Sequence, residues 1–168
     1  MTAVMPQRPT LISEPVVLTA QQYDALPPNN RMELVDGVVT LMTPATRRHQ
    51  IVVQKVRAAL ESGCPEELRI VWEQEIRLAD LLRRNPDVEV VSPHTHVTDR
   101  LHKPAEYAAA GIEHYWRVET LPEVAVHTYR LADSGSYVAS GVFTEGDTIG
   151  APGLPWAKIQ VSDLSPAA

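Results

Sequence analysis

The feature of this sequence that most constrains its fold is a short apolar run that carries two acids. Residues 88–91 are largely valine, with Asp87 just before the run and Glu89 inside it. Side chains at positions i and i+2 of a strand point to the same face, about 6.5–7 Å apart along the backbone. Ionised carboxylates in a buried strand are costly unless they are paired or bind a metal. We therefore predict a buried strand at 88–91 with both acids on one face; the alternative is a strand end with one exposed acid and one chance neighbour.

A third acid and a lysine extend this pair into a candidate magnesium site. Mg²⁺ prefers a few carboxylates together with water. Glu33 is the candidate third acid, and the alternative is an ion pair with Arg31 or with a neighbouring strand. Lys103 follows the acids in the sequence, and near a metal it would orient a bound water or neutralise charge on a phosphate. The alternative for Lys103 is an ordinary solvated lysine.

The composition fits one globular domain. The 168 residues are 44% hydrophobic and 21% charged, which is enough apolar material for a sizeable core. The apolar runs are too short to span a membrane, and the first residues lack the pattern of a signal peptide, so we expect a cytoplasmic protein without membrane association. The single cysteine, Cys64, excludes an internal disulfide and a cysteine-based zinc site.

The charge distribution allows only weak contact with nucleic acid. The net charge of −6 argues against tight binding, although residues 46–103 hold 10 of the 15 lysines and arginines. Arg47, Arg48 and His49 open the longest predicted helix, where a phosphate is favoured; the alternative is surface polarity with a partly buried histidine. We therefore expect DNA as a weakly bound partner.

Histidine does not suggest a metal centre here. His94, His96 and His102 are spread over a segment containing proline, and their spacing matches no standard ligand pattern. A zinc-histidine hydrolase is therefore not expected.

Hydrophobic periodicity and turn signals predict an α/β fold of order β-β-α-β-β-α-β-β-β, with the long helix packed on one face of the sheet. A hairpin is predicted at 31–42, where Asp36 serves the Asp36-Gly37 turn. The long helix is predicted at 45–62, capped by Thr43 or Thr46 and stopped by Gly63. The other predicted elements are helices at 20–26, capped by Thr19, and at 104–110, and strands at 69–78, 88–91, 113–118, 124–130, 136–142 and 156–161. Residues 1–17 are expected to form an N-terminal arm, 18–164 the domain and 165–168 a tail.

A series of short motifs, taken in order, is specific. They are Leu-Thr-Ala-Gln-Gln-Tyr at 18–23, Met-Glu-Leu-Val-Asp-Gly at 32–37, His-Gln at 49–50, Asn-Pro-Asp-Val at 85–88, Glu-Val-Val-Ser-Pro at 89–93, Asp-Arg-Leu-His-Lys-Pro at 99–104, Tyr-Ala-Ala-Ala-Gly-Ile at 107–112 and His-Tyr-Trp at 114–116. From about Leu18 to Leu164 the chain resembles the putative restriction endonuclease family known as domain of unknown function 820, in the PD-(D/E)XK nuclease superfamily.

The resemblance implies a restriction-endonuclease-like core, a mixed β-sheet with a long helix packed on it, and Mg²⁺- or Mn²⁺-dependent hydrolysis of phosphodiester bonds in DNA. It assigns the N-terminal acid to Glu33, the Asp of the PD motif to Asp87 and the second motif acid to Glu89. These three would hold the metal. Val91 stands at the motif's lysine position, and family members of this type supply the lysine from the following helix, which is Lys103 here.

One departure from the family pattern leaves two hypotheses. In the family a connecting segment separates the two motif strands, whereas here Asp87-Val88 runs directly into Glu89-Val90, which implies that one strand or hairpin of the family core is missing. The chain is either a metal-dependent endonuclease or a catalytically inactive remnant or binding protein of the same fold. Nucleases that cut both strands often act as dimers, so a homodimer is left open.

Overall fold

The described residues form three small sheets and a long helix. A computed structural model describes residues 15–29, 31–42, 44–71, 74–84, 89–91, 98–151 and 153–166. A π-helical turn, Thr98–His102, leads directly into the helix that begins at Lys103. The elements in chain order are α1 (Ala20–Asp24), β1 (Met32–Val35), β2 (Val38–Leu41), α2 (Arg47–Gly63), β3 (Ile76–Ala79), β4 (Leu82–Arg84), β5 (Glu89–Val90), α3 (Lys103–Ala109), β6 (His114–Glu119), β7 (Ala125–Leu131), β8 (Tyr137–Phe143), β9 (Thr148–Ala151), β10 (Leu154–Gln160) and α4 (Val161–Leu164).

The first sheet is antiparallel, in the order β2-β1-β4-β3. The predicted hairpin is confirmed: Asp36 and Gly37 have φ of 50° and 81°, the positive values that a two-residue hairpin turn requires. The strand predicted at 69–78 begins only at Ile76. The prediction is therefore wrong for residues 69–71, 74 and 75, the described residues before β3. Strand β4, which pairs with β1, was not predicted because Arg83 and Arg84 read as surface residues.

The second sheet is mixed, as predicted, in the order β5-β6-β7-β8. β5 runs parallel to β6, with Glu89 opposite Arg117, and the other pairs are antiparallel. The three strands predicted at 113–118, 124–130 and 136–142 each occur one residue later. β9 and β10 form a separate hairpin, and β9 was not predicted because Ile149 is its only large apolar residue.

Helix α2 packs on this mixed sheet through a valine stripe. This confirms the prediction that the long helix packs on one face of the sheet. Thr46 caps its start by accepting a hydrogen bond from the His49 N–H at 3.2 Å; the other candidate cap, Thr43, lies outside the described residues. The stripe, Val52, Val53 and Val56, belongs to one buried cluster with Val90, Val118, Val126, Ile149 and Ile159. The helix begins at Arg47, so the predicted start at 45 is two residues early.

The beginning of the described chain is tied to the first sheet. Thr19 and Gln22 form a capping box on α1, which ends at Asp24 rather than at 26 as predicted. Val17 makes an isolated bridge to Val38. Residues 1–14 of the predicted arm and residues 85–88, including Asp87, lie outside the described residues, so the missing strand or hairpin stays a prediction. No helix of the described residues is long and apolar enough to cross a membrane.

Candidate active site

Glu89 is a buried carboxylate that accepts hydrogen bonds at both oxygens. It lies on β5 and is 7% exposed. Its Oε2 accepts a hydrogen bond from Lys103 Nζ at 2.8 Å, and its Oε1 accepts one from the Tyr107 hydroxyl at 2.6 Å. Burial raises the pKa of Glu89, and the Lys103 and Tyr107 contacts oppose that rise. A buried, hydrogen-bonded carboxylate thus stands at the predicted position.

Lys103, the predicted lysine of the site, is in direct contact with Glu89. It is the first residue of α3 and is 8% exposed, so the alternative of a solvated lysine is wrong. Burial by itself would lower the pKa of Lys103, but the carboxylates of Glu89, Asp99 and Glu33 together raise it above the ordinary value. Lys103 is therefore a cation held among acids.

Asp99 belongs to the same cluster and was not singled out from the sequence. It is 2% exposed, and its Oδ1 lies 3.3 Å from Lys103 Nζ. The hydroxyl of Tyr115 donates a hydrogen bond to the Asp99 backbone carbonyl at 2.7 Å, which fixes the turn before α3. The i, i+4 spacing of Asp99 and Lys103 was the available signal, because it places the two on one face of a helix.

Glu33, the predicted third acid, lies near this pair but is engaged by an arginine. It is 4% exposed on β1, and its Oε2 accepts a hydrogen bond from Arg84 Nη1 at 2.8 Å. The alternative of an ion pair with a neighbouring strand is therefore realised, since Arg84 lies on β4. Arg84 also donates two hydrogen bonds to the carboxylate of Glu106 on α3, at 2.8 and 2.6 Å. Glu33 contributes to the raised pKa of Lys103, so the two charges interact.

Asp87, the remaining predicted metal ligand, lies outside the described residues. The same holds for His94 and His96, from which no metal site was expected, and His102 is exposed. Among the described residues, no three or more His, Cys, Asp or Glu side chains form a group that could hold a metal ion. The structure thus describes two of the three predicted metal ligands, Glu33 and Glu89.

The three residues predicted to contact DNA differ in their surroundings. Arg47 is exposed at the first position of α2. Arg48 is half-buried, and its Nε donates a hydrogen bond to the backbone carbonyl of Thr120 at 2.9 Å. His49 is also half-buried. Arg48 thus holds the loop after β6, and Arg47 is the exposed cation of the three.

A cavity borders Glu89. It has a volume of about 370 Å³ and is lined mainly by apolar and aromatic side chains. Glu89 and Tyr107 lie on its wall together with His114, Trp116 and Trp156. The cavity therefore reaches the residue Glu89, although Glu89 exposes little surface.

Comparisons with known proteins agree with this fold. The model of the Uma2 family, described as putative restriction endonuclease, matches residues 71–162, more than half of the chain. No functionally curated protein matches the sequence. A crystal structure of a putative nuclease belonging to DUF820 from Anabaena variabilis superposes with a TM-score of 0.71, at 14% identity over 88% of this chain and 97% of that one. That likeness shows the fold, and the family match shows the kinship: the chain belongs to the Uma2 family of putative restriction endonucleases.

Proposed function

We propose that this protein is a metal-dependent endonuclease that hydrolyses phosphodiester bonds in DNA. The observation that carries the proposal is the contact between Glu89 and Lys103, 2.8 Å apart and both buried, in a chain with a nuclease-like fold. An acid and a lysine in this order are what the family pattern assigns to catalysis, and Glu89 borders a cavity. Family membership supports a nuclease-like function; the metal and the DNA substrate are part of the proposal.

The donor atoms suit Mg²⁺ or Mn²⁺. Each Glu89 oxygen accepts one hydrogen bond and keeps a second acceptor position. The atoms that Glu33 could offer to a metal are also carboxylate oxygens, the ligands that Mg²⁺ prefers. We assign the metal to Glu89 and Glu33, with Asp87 as the sequence-based third ligand. A bound divalent cation supplies positive charge beside the phosphate and lowers the pKa of water.

Lys103 contributes a fixed positive charge. Because neighbouring carboxylates raise its pKa, it stays protonated at neutral pH and does not act as a proton acceptor. Its role is to orient water by hydrogen bonding and to stabilise the negative charge that develops on the phosphate oxygens. Asp99, 3.3 Å from Nζ, keeps the ammonium in place.

Contact with DNA is proposed to be weak and centred on the start of α2. Arg47 is exposed there, while Arg48 and His49 support the contact from half-buried positions. A helix N-terminus with an arginine favours phosphate. We further propose a cytoplasmic location and a homodimer for cutting both strands.

Plasmid cleavage in Mg²⁺ or Mn²⁺ tests the function. Glu89→Gln and Lys103→Met are each expected to reduce the rate at least about a hundredfold, as loss of electrostatic stabilisation does. Glu113→Gln, a substitution of an exposed glutamate, is the matched control and is expected to cut at the wild-type rate. Equal cleavage by wild type and Glu89→Gln would overturn the proposal.

The second candidate function is a catalytically inactive remnant or binding protein of the same fold. Two observations favour it: Arg84 engages Glu33, and the described residues contain no group of three acids or histidines that could hold a metal ion. Titration calorimetry with Mn²⁺ separates the two candidates. Binding that Glu89→Ala abolishes supports the nuclease, and absence of binding supports the remnant.

A further inference from the structure

A charged cluster lies beside Glu89 on the same face of the second sheet. Arg117 of β6 is opposite Glu89 of β5 and opposite His127 of β7. Residues paired across neighbouring strands point to the same face, and such strands are about 4.8 Å apart. The next pair, Val118 and Val126, belongs to the core that packs under α2. Arg117 and His127 therefore lie on the opposite face, the one that carries Glu89.

Two arginines of this cluster share one carboxylate. Arg100, in the turn before α3, donates hydrogen bonds to both oxygens of Glu119, at 2.9 Å each. Arg117 Nε lies 3.1 Å from Glu119 Oε1, yet it is buried and has no hydrogen-bond partner among the described residues. We call Arg100, Arg117, Glu119 and His127 the arginine cluster. Even with a neutral histidine, it carries one positive charge in excess.

His127 senses the charges of this cluster. Burial lowers the pKa of the His127 imidazole, and the positive charges of Arg117 and Arg100 lower it further. The carboxylate of Glu119 opposes them only in part. A second anion at the cluster would offset the arginines and favour the protonated imidazole, so His127 is a natural reporter of anion binding.

The two arginines are fixed in position and partly accessible. The guanidinium of Arg117 lies over the ring of Tyr129, with 5.5 Å between its central carbon and the ring centre. The side chain of Arg117 is 14% exposed, and that of Arg100 is 47% exposed. A guanidinium presents five N–H groups in a planar fork that fits the oxygens of a phosphate. Arg100 uses two of these for Glu119, so it has donors left for a second anion.

The arginine cluster adjoins the start of α2. Arg48 Nε donates a hydrogen bond to the carbonyl of Thr120, the residue after Glu119. Along β6, the cluster thus occupies the positions between the residue opposite Glu89 and the residue that Arg48 contacts. We propose that the arginine cluster binds a phosphate group of the DNA backbone next to the one that is cut. The inference rests on the proposed function, in which DNA is the substrate.

The pKa of His127, measured by NMR from its imidazole protons, tests this site. A short DNA duplex is added in EDTA at constant ionic strength, so that none is cleaved. Saturating duplex is expected to raise the pKa of His127 by about one pH unit, because a neighbouring anion favours the charged imidazole. Arg117→Gln and Arg100→Gln are each expected to remove at least about half of that rise. Arg130→Gln, an exposed arginine on the same strand as His127, is the matched control and should keep the full rise.

Glu119 competes with the phosphate for the same two arginines, so its removal should have the opposite effect. Glu119→Gln is expected to tighten duplex binding by about tenfold in fluorescence anisotropy, the effect of roughly one hydrogen bond to a charged group. Glu113→Gln is the matched control, because it removes the same charge at an exposed residue just before β6. Its affinity should stay within about twofold of wild type. Equal affinities of the two variants would contradict a phosphate site at the cluster.

The outcomes separate this inference from the function on which it rests. If wild type cleaves plasmid but the duplex leaves the pKa of His127 unchanged, the cluster binds no DNA phosphate and the function stands. If wild type neither binds the duplex nor cleaves plasmid, both fail. A rise with inorganic phosphate but none with the duplex means that the cluster takes only the free anion, which overturns the assignment to DNA. Should Arg117→Gln not fold, a full rise in Arg100→Gln overturns the inference by itself.

Discussion

Lys103 is a buried cation that is stable because acids surround it. Burial disfavours an ammonium, yet Glu89 at 2.8 Å and Asp99 at 3.3 Å more than offset that effect and raise the pKa of the lysine. Each partner of such a pair depends on the other, because a buried charge without a counter-ion is far more costly than the pair. The contact on which the proposed role of Lys103 depends is therefore also expected to carry part of the stability.

Removing Lys103 alone is expected to destabilise the protein more than removing it together with Glu89. Lys103→Met should lower the free energy of unfolding at neutral pH by about 3–5 kcal/mol, the range for breaking a buried ion pair. Lys103→Met combined with Glu89→Gln should recover much of that loss, since the orphaned carboxylate is gone. Urea denaturation of the two single variants and the double variant measures the coupling. Additive effects of the two substitutions would show that the pair does not stabilise the fold.

The sequence predicted part of this cluster and missed the rest for a physical reason. Glu89 was predicted because an acid inside an apolar run is costly to bury unpaired, Glu33 and Lys103 were the candidate partners for it, and the family pattern marks all three. Asp99 and Arg84 were missed because a single sequence shows charge but not burial, and charged residues are mostly exposed. Arg84 is 4% exposed only because Glu33 and Glu106 reach it from two other elements.

Among the elements, α3 is the one that assembles the site. Lys103, Glu106 and Tyr107 project from one face of it and reach β5 and β4. The sequence predicted this helix, α2 and the first hairpin, because periodicity and turn residues are local signals. It missed β4 and β9, which are short and depend on pairing with a partner strand. Strand pairing is a tertiary effect that local pattern does not encode.

The end of α2 illustrates such a tertiary constraint at Gly63. A Cβ at this position would lie 2.7 Å from the Trp156 carbonyl oxygen on β10, closer than real contacts allow. Gly63→Ala is therefore expected to lower stability by about 1–3 kcal/mol through overpacking, although alanine favours helix by about 1 kcal/mol.

Thermal unfolding with Gly150→Ala as the control checks this expectation. A Cβ at Gly150 meets nothing within 4 Å, so that variant should melt close to wild type. A Gly63→Ala protein as stable as wild type would mean that the helix end and β10 can move apart freely.

At the scale of the whole molecule, the site also joins the first sheet to the rest of the protein. Arg84 of β4 binds Glu33 of its own sheet and Glu106 of α3, while Lys103 of α3 binds Glu89 of the second sheet. The catalytic candidates thus lie where these parts meet. Most of the charge there is neutralised internally, so cations for a DNA backbone must come from elsewhere in a chain of net charge −6.

Arg47 is expected to supply one such cation, which makes DNA binding measurable through its salt dependence. Each neutralised phosphate adds about 0.9 to the slope of log affinity against log salt, because counterions are released. Arg47→Ala should therefore reduce that slope by about one in fluorescence anisotropy with a labelled duplex.

Arg57→Ala on the same helix is the control for this measurement. Its Nε lies 2.8 Å from Glu61 Oε1, so its charge is already compensated, and it stands about 15 Å along the helix axis from Arg47. The slope of Arg57→Ala should match that of wild type. If Arg47→Ala also matched, the start of α2 would not face the phosphates, and the DNA path would have to follow another face of the molecule.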